Sequence, residues 1–243
     1  MKSRLKVEPT AKRVRTYFGG HQIADTTKAL LVWESPYYPT YYLPLADVDQ
    51  AALKPTGATV HSPSRGEGVV HTVTAGGKEA DDAALIYPDS PIEELREHVR
   101  FEWAAMDSWF EEDEEVYVHP RSPYTRVDVL SSSRRVRVEV DGVTVADSTR
   151  PVILFETGLP ARYYLPKTDV RMHLLAPTDT SSQCPYKGTA EYWSVNGHQD
   201  LAWSYRTPLR ESERIAGLIA FYNEKLDIYV DEVLEERPTT KFS

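Results

Sequence analysis

The sequence has almost no cysteine: Cys184 is the one thiol in 243 residues. No internal disulfide can form, and zinc sites built on paired CxxC motifs are excluded. Long apolar runs are missing as well, and none approaches the ~20 residues that a membrane-spanning helix needs. The opening Met1-Lys2-Ser3-Arg4-Leu5-Lys6 is basic but lacks the apolar segment of a secretory signal. The expectation is a cytoplasmic protein without a membrane partner. Basic residues are outnumbered: 28 Lys and Arg stand against 37 Asp and Glu, a formal net charge of −9. That balance argues against a dedicated nucleic-acid binder, which carries a basic face. There is no P-loop, GxGxxG, HExxH or Ser-His-Asp order. His71, His98, His173 and His198 show no ligand spacing. The residues therefore specify neither a metal site nor a cofactor.

What the chain does have is the balance of a folded protein, with 41% hydrophobic and 27% charged residues. Its strongest signal is an internal repeat at a fixed offset of 122 residues. Arg4-Leu5-Lys6-Val7 lines up with Arg126-Val127-Asp128-Val129, and Arg13-Val14-Arg15 with Arg135-Val136-Arg137. Tyr41-Tyr42-Leu43-Pro44 recurs as Tyr163-Tyr164-Leu165-Pro166. The register runs through Ser62–Gly66 and Cys184–Gly188. It then shifts by two, so that Leu95, Phe101 and Asp107 match Ile215, Phe221 and Asp227. The expected domains are residues 1–122 and 123–243, meeting in the Pro-containing stretch His119–Tyr124. Each half is long enough to bury its own core.

Alternation marks the strands. Val136, Val138 and Val140 share a face, Asp141-Gly142 turns the chain, and Val143 and Val145 continue it. Copy one makes the same type I′ turn with Gly19-Gly20. Val152–Phe155 reads as a buried strand, and Ala190–Val195 with Leu201–Tyr205 as a hairpin around Asn196-Gly197. Pro91–Leu95 and Leu209–Arg214 could each begin a short helix. The fold class is all-β, two tandem copies with at most one short helix each.

Several stretches carry a family likeness: Glu156-Thr157-Gly158-Leu159-Pro160-Ala161-Arg162-Tyr163-Tyr164-Leu165-Pro166, then Cys184-Pro185-Tyr186-Lys187-Gly188-Thr189-Ala190-Glu191-Tyr192-Trp193, and His119–Asp128 at the junction. On these the chain resembles the DUF427 family, proteins of unassigned function that often occur as tandem pairs. The resemblance covers nearly the whole chain. It implies a curled-sheet fold of the β-tent, Mss4-like kind, and it brings a nucleotidyltransferase-domain label. Other β-tent families hold zinc with two cysteine pairs, which a single cysteine cannot supply.

Candidate site residues follow from comparing the copies, since a residue kept in both serves the shared fold or a shared site. Cys184, Tyr186 and Lys187 form a loop whose thiol and ammonium could face a ligand, with the cation kept as Arg65 in copy one. The alternative is a turn with a small buried thiol. Glu34 and Glu156 follow buried strands. Either could act as a base or grip a ligand hydroxyl, or could accept bonds from loop amides or a cation such as Arg162. Tyr41 and Tyr42, like Tyr163 and Tyr164, alternate across a strand, so one of each pair is expected to face outward and line a groove. Tyr192 joins this aromatic set. His119 and Arg121 lie in the junction, where they could reach a cleft or simply pin the linker. Asp25 and Asp147, followed by Thr and Ser, read as turn caps. Glu111–Glu115 reads as a solvated acidic surface. The label has little behind it: Asp47-Val48-Asp49 is the nearest approach to a metal-binding carboxylate pair, and copy two has Asp169-Val170-Arg171 there.

Three functions are compatible with these residues. The first is a small-molecule or anion-binding module, its pocket formed by the Arg162–Tyr164 strand and the Cys184–Gly188 loop. The second is an enzyme, nucleotidyltransferase-like or thiol-dependent through Cys184. The third is a scaffold for protein partners.

Overall fold

A computed structural model describes residues 5–240 and 242–243. Arg4 of the repeat and the basic start Met1–Arg4 lie outside the described residues. The chain divides into two compact units, Met1–Ser122 and Pro123–Ser243. The described residues form strands joined by 3-10 turns. The stretches that could begin a short helix become 3-10 turns, at Glu93–Leu95 and Arg210–Ile215. No helix among the described residues is long and apolar enough to cross a membrane.

Unit 1 runs β1 (Val7–Pro9), β2 (Val14–Phe18), β3 (His21–Thr26), β4 (Leu30–Val32), β5 (Thr40–Pro44), β6 (Leu53–Ser62), β7 (Gly66–Ala75), β8 (Lys78–Ile86), β9 (His98–Phe101), β10 (Ser108–Glu111) and β11 (Glu114–Glu115). They make a seven-stranded sheet, β1-β4-β5-β9-β8-β7-β6, and a four-stranded sheet, β11-β10-β2-β3. Unit 2 repeats this with β12 (Val127–Ser131), β13 (Val136–Val140), β14 (Val143–Ser148), β15 (Val152–Glu156), β16 (Arg162–Leu165), β17 (Leu175–Cys184), β18 (Gly188–Val195), β19 (His198–Tyr205), β20 (Ile219–Phe221), β21 (Asp227–Val230) and β22 (Val233–Leu234). Its sheets are β12-β15-β16-β20-β19-β18-β17 and β14-β13-β21-β22.

The alternating valines do what their period demands. Val136, Val138 and Val140 are buried, and Arg137 and Glu139 point away. The turns after β2 and β13 have positive φ at both central residues, Gly19-Gly20 and Asp141-Gly142, as a type I′ hairpin requires. The small sheet packs on one face of the large one. In unit 1 this core joins Val14, Phe18, Ile23 and Trp109 to Tyr41, Leu43, Val73 and Phe101. The other face of the large sheet is covered at β4 and β5, where Val32 and Tyr42 pack beneath Tyr87, Ile92 and Leu95. Unit 2 repeats both cores, with Tyr163 in one and Tyr164 in the other. The tyrosine pairs therefore do alternate, but no member of either pair faces outward: Tyr41, Tyr42, Tyr163 and Tyr164 are all buried.

Strand register refines the repeat. Val70 pairs with Leu85 as Tyr192 pairs with Trp203, so β19 follows β8 at an offset of 118, and Tyr205 is the counterpart of Tyr87. The pairing of Leu85 with Arg100 and of Trp203 with Ala220 returns the offset to 120 in β9 and β20. The shift of two is thus a net result: the β18–β19 hairpin is shorter, and the 3-10 segment after it is longer. Asp25 and Asp147 are not turn caps. They accept from Arg13 Nε at 2.7 Å and Arg135 Nε at 2.9 Å. The next residues do the capping: Thr26 and Ser148 hydroxyls accept from Lys28 and Arg150 amides. Glu111 is not solvated surface either, being buried on β10.

The longer hairpin of unit 1 brings its tip onto the β2–β3 turn. A Cβ on Gly76 would stand 2.0 Å from the Gly19 carbonyl oxygen, at φ +57, whereas Gly77, at φ +77, has nothing within 4 Å. Left-handed backbone costs a side chain ~1–2 kcal/mol, and the clash adds an overpacking cost of ~1–3 kcal/mol. Gly76→Ala should therefore destabilise unit 1 by about 3 kcal/mol and Gly77→Ala by about 1 kcal/mol, read by urea unfolding.

Asp169 accepts from Ser148 Oγ at 2.7 Å and pairs with Arg150 at 3.0 Å. The Arg150 hydrogen bonds hold its carboxyl down from 3.8 to about 2. A depressed carboxyl stabilises the fold above its unfolded value and loses that contribution as pH falls through the folded value. Unit 2 should weaken between about pH 4 and pH 2, and Asp169→Asn should flatten that part of a stability–pH profile.

Candidate functional site

The buried outer face of each large sheet holds a polar cluster. In unit 1 Glu34 accepts from the Tyr42 hydroxyl at 2.6 Å and pairs with Arg65 Nη1 at 2.5 Å. Arg100 Nε lies 3.4 Å from the same carboxylate oxygen. Arg65 also donates to the Tyr42 and Ser62 hydroxyls, at 2.9 and 3.0 Å, and stacks over Tyr87. Burial first, and then the Glu34 charge, pushes the Tyr42 phenol well above its ordinary range. In unit 2 Glu156 pairs with Lys187, not with Arg162. The Tyr164 hydroxyl accepts from Trp203 Nε1 at 3.2 Å, and burial pushes that phenol up too. Where unit 1 has Arg100 on β9 and Leu85 on β8, unit 2 has Ala220 on β20 and Trp203 on β19.

A pocket of about 190 Å³ lies where β5 begins and β9 ends. Tyr38, Tyr41, Trp103, Trp109 and His119 supply aromatic wall, Thr40 and Ala104 small wall, and Arg100 and Glu102 charge. Trp103 stacks on Trp109 at 4.7 Å between centroids. His119 stacks on Tyr38 at 4.1 Å, nearly parallel. Tyr41 is fixed below by donating to Glu111 at 2.8 Å, and Glu111 also accepts from the Arg121 amide at 3.0 Å. Val118, on the pocket wall, has φ +73. A β-branched residue rarely adopts that conformation, and such strain gathers at functional sites. Arg100 Nη1 reaches Glu102 at 3.0 Å.

Unit 2 fills the corresponding place from its own chain. The counterparts of Thr40 and Ala104 are Arg162 and Glu224. Arg162 forks onto Glu224, Nη1 at 2.6 Å and Nη2 at 2.5 Å, and also donates to Asn223. Thr240 Oγ1 donates to the same carboxylate at 2.7 Å. Burial works to raise the Glu224 carboxyl, but the Arg162 and Thr240 hydrogen bonds override it and hold it below its usual 4.5. Arg162 lies over the rings of Trp203, Tyr222 and Phe242, each within 6 Å of its guanidinium carbon.

Of the sequence-selected residues, Tyr41 and His119 meet in the unit 1 pocket. Glu34 and Arg65 meet in the cluster beside it, and Arg100 borders both. Arg121 sits behind the pocket, its guanidinium 3.2 Å from Glu114. Cys184 is partly buried and pairs across the strands with Gly188. The Tyr186 carbonyl accepts from Ser212, and Tyr192 shares a 2.7 Å hydrogen bond with Ser182. Asp47 accepts from Thr26 at 2.7 Å, and Asp49 caps a 3-10 turn through the Ala51 amide. Tyr38, Arg100, Trp103 and Trp109 were missed. Position 100 could have been found, because Arg100 and Ala220 are an unlike pair within a matched stretch. A second cleft, about 360 Å³, lies in unit 2 where the hairpin is short, between Asp141, His198, Asp227 and Arg237. His198 meets Asp141 at 2.7 Å and Arg237 meets Asp227 at 2.6 Å.

Removing one partner of a buried ion pair costs ~3–5 kcal/mol, because the other charge stays buried alone. Glu224→Ala should lower unit 2 stability by about that much in denaturant unfolding. The double change Arg162→Thr with Glu224→Ala, which installs the unit 1 residues, should recover part of it.

A search of curated proteins gives no match to the chain. The family model described as a domain of unknown function (DUF427) matches residues 6–112 and again 128–232. Those spans fall one in each unit, on the two pairs of sheets. The chain belongs to the DUF427 family and carries its domain twice in tandem.

Proposed function

We propose that the protein binds a small molecule, and that the aromatic pocket of unit 1 is its binding site. The observation that carries this reading is the pocket wall itself: stacked rings on two sides, a guanidinium at the edge, and a strained Val118 in the lining. Ligand sites combine such apolar walls with a few placed polar groups. A cavity of ~150 Å³ lined by apolar side chains holds benzene, so about 190 Å³ suits a single ring with a short substituent. The Arg162–Tyr164 strand and Cys184–Gly188 loop offer less, because Arg162 and Lys187 already hold Glu224 and Glu156. This reading keeps the β-tent arrangement for each pair of sheets and a cytoplasmic setting. The net charge of −9 favours a small ligand over nucleic acid.

The test is a thermal-shift screen of the full chain with single-ring compounds, followed by tryptophan fluorescence. A ligand at ~100 times its Kd stabilises by about 2.7 kcal/mol. At least one compound should raise the melting temperature and change the emission of the tryptophans, and His119→Ala should weaken its binding about tenfold, as loss of ~1.4 kcal/mol of stacking contact would. No shift from any such compound, or equal binding by the variant, overturns the reading.

A further inference from the structure

The two copies differ in who supplies the contents of one place in the fold. In unit 2 a guanidinium, a carboxylate and an aromatic ring come together there: Arg162, Glu224 and Phe242. The pair is among the most buried polar contacts described, with side-chain exposures of 8% and 0%. In unit 1 the residue matching Glu224 is Ala104 and the residue matching Arg162 is Thr40, and both line the pocket. A guanidinium is still present, because Arg100 reaches the same pocket from β9. The aromatic walls are present as well.

We propose that the unit 1 pocket binds an aromatic carboxylic acid, the combination of groups that unit 2 provides for itself. The inference rests on the binding reading above and names its ligand class. A carboxylate suits a guanidinium because two parallel N–H donors meet its two oxygens. Arg65 and Arg100 share the one carboxylate of Glu34, and Arg100 holds it at the longer distance, 3.4 Å against 2.5 Å for Arg65. The second acid on Arg100 is Glu102, whose side chain is 51% exposed. An exposed carboxylate is held weakly, and the acid of a ligand can replace it on Arg100. The ring of the ligand then lies along Trp103 and Tyr38, as Phe242 lies near Tyr222, 6.2 Å between centroids, in unit 2.

The experiment is calorimetric titration of the full chain with three probes: phenylacetate, the neutral benzyl alcohol, and acetate. Phenylacetate should bind one equivalent per chain, at least about tenfold more tightly than either other probe, the ~1.4 kcal/mol expected of a charge-assisted contact. Ala104→Glu, which places the unit 2 carboxylate in the unit 1 pocket, should abolish binding. Glu102→Gln should tighten it and, lying on the surface, remains informative if the first variant does not fold. Equal affinity for benzyl alcohol overturns the acid while leaving a binding pocket. Two equivalents per chain overturns the claim that unit 2 fills its own site. Binding of no aromatic probe overturns both this inference and the reading it rests on.

Discussion

Burial of both faces in the middle of the seven-stranded sheet, at β4 and β5 and again at β15 and β16, is the constraint on which the rest depends. A sheet with one wet face can hand its polar side chains to solvent. Here the small sheet covers one face, and the 3-10 segment with its flanking tyrosine covers the other. A charged group beside a central strand then gains from a partner inside the protein, since a buried charge left alone costs several kcal/mol. Glu34 with Tyr42, Arg65 and Arg100 is one answer. Glu156 with Lys187 is another. The same constraint explains why a Tyr-Tyr dipeptide is wholly buried in each copy.

Divergence between the copies has gone by compensated exchange. The bulk of Trp203 beside Ala220 replaces that of Arg100 beside Leu85, across the same strand pair. Tyr41 donates to Glu111 of β10, whereas Tyr163 donates to Glu235, just beyond β22. Register places Val230 opposite Val136 as Glu111 stands opposite Val14, so the acid has moved from one strand to the next stretch of chain. In each case a volume or a charge was conserved while the residue carrying it changed. The aromatic pocket is where the copies differ in another way: unit 2 carries Arg162 and Glu224 where unit 1 has Thr40 and Ala104.

The strands, the turns at Gly19-Gly20 and Asp141-Gly142, and the duplication were legible in the sequence because each depends on neighbours in the chain or on a period. The aromatic pocket was legible only in part. Tyr41 and His119 stood out, one as a repeated tyrosine and one as a residue of the junction. Trp103 packs against the core while also walling the pocket, and a tryptophan in sequence does not show the second role. What no local pattern carried was partner choice. Glu156 takes Lys187 and Arg162 takes Glu224, both across long separations, and sheet pairing alone decides who meets. The offset failed for the same reason. A shortened hairpin and a lengthened turn nearly cancel, so the matched residues after them conceal the change between.

The Arg162–Glu224 fork also limits how the two halves of the gene can exchange sequence. The arginine lies on β16 and the glutamate just after β20, far apart in the chain but joined in the fold. A crossover between repeats that falls between these positions would put one charge opposite Thr40's or Ala104's small side chain, leaving it buried and alone. Tandem repeats invite such recombination, yet here the products would fold poorly. Arg162 and Glu224 are thus acceptable to the fold together, as in unit 2, or replaced together by Thr40 and Ala104, as in unit 1, but not one at a time.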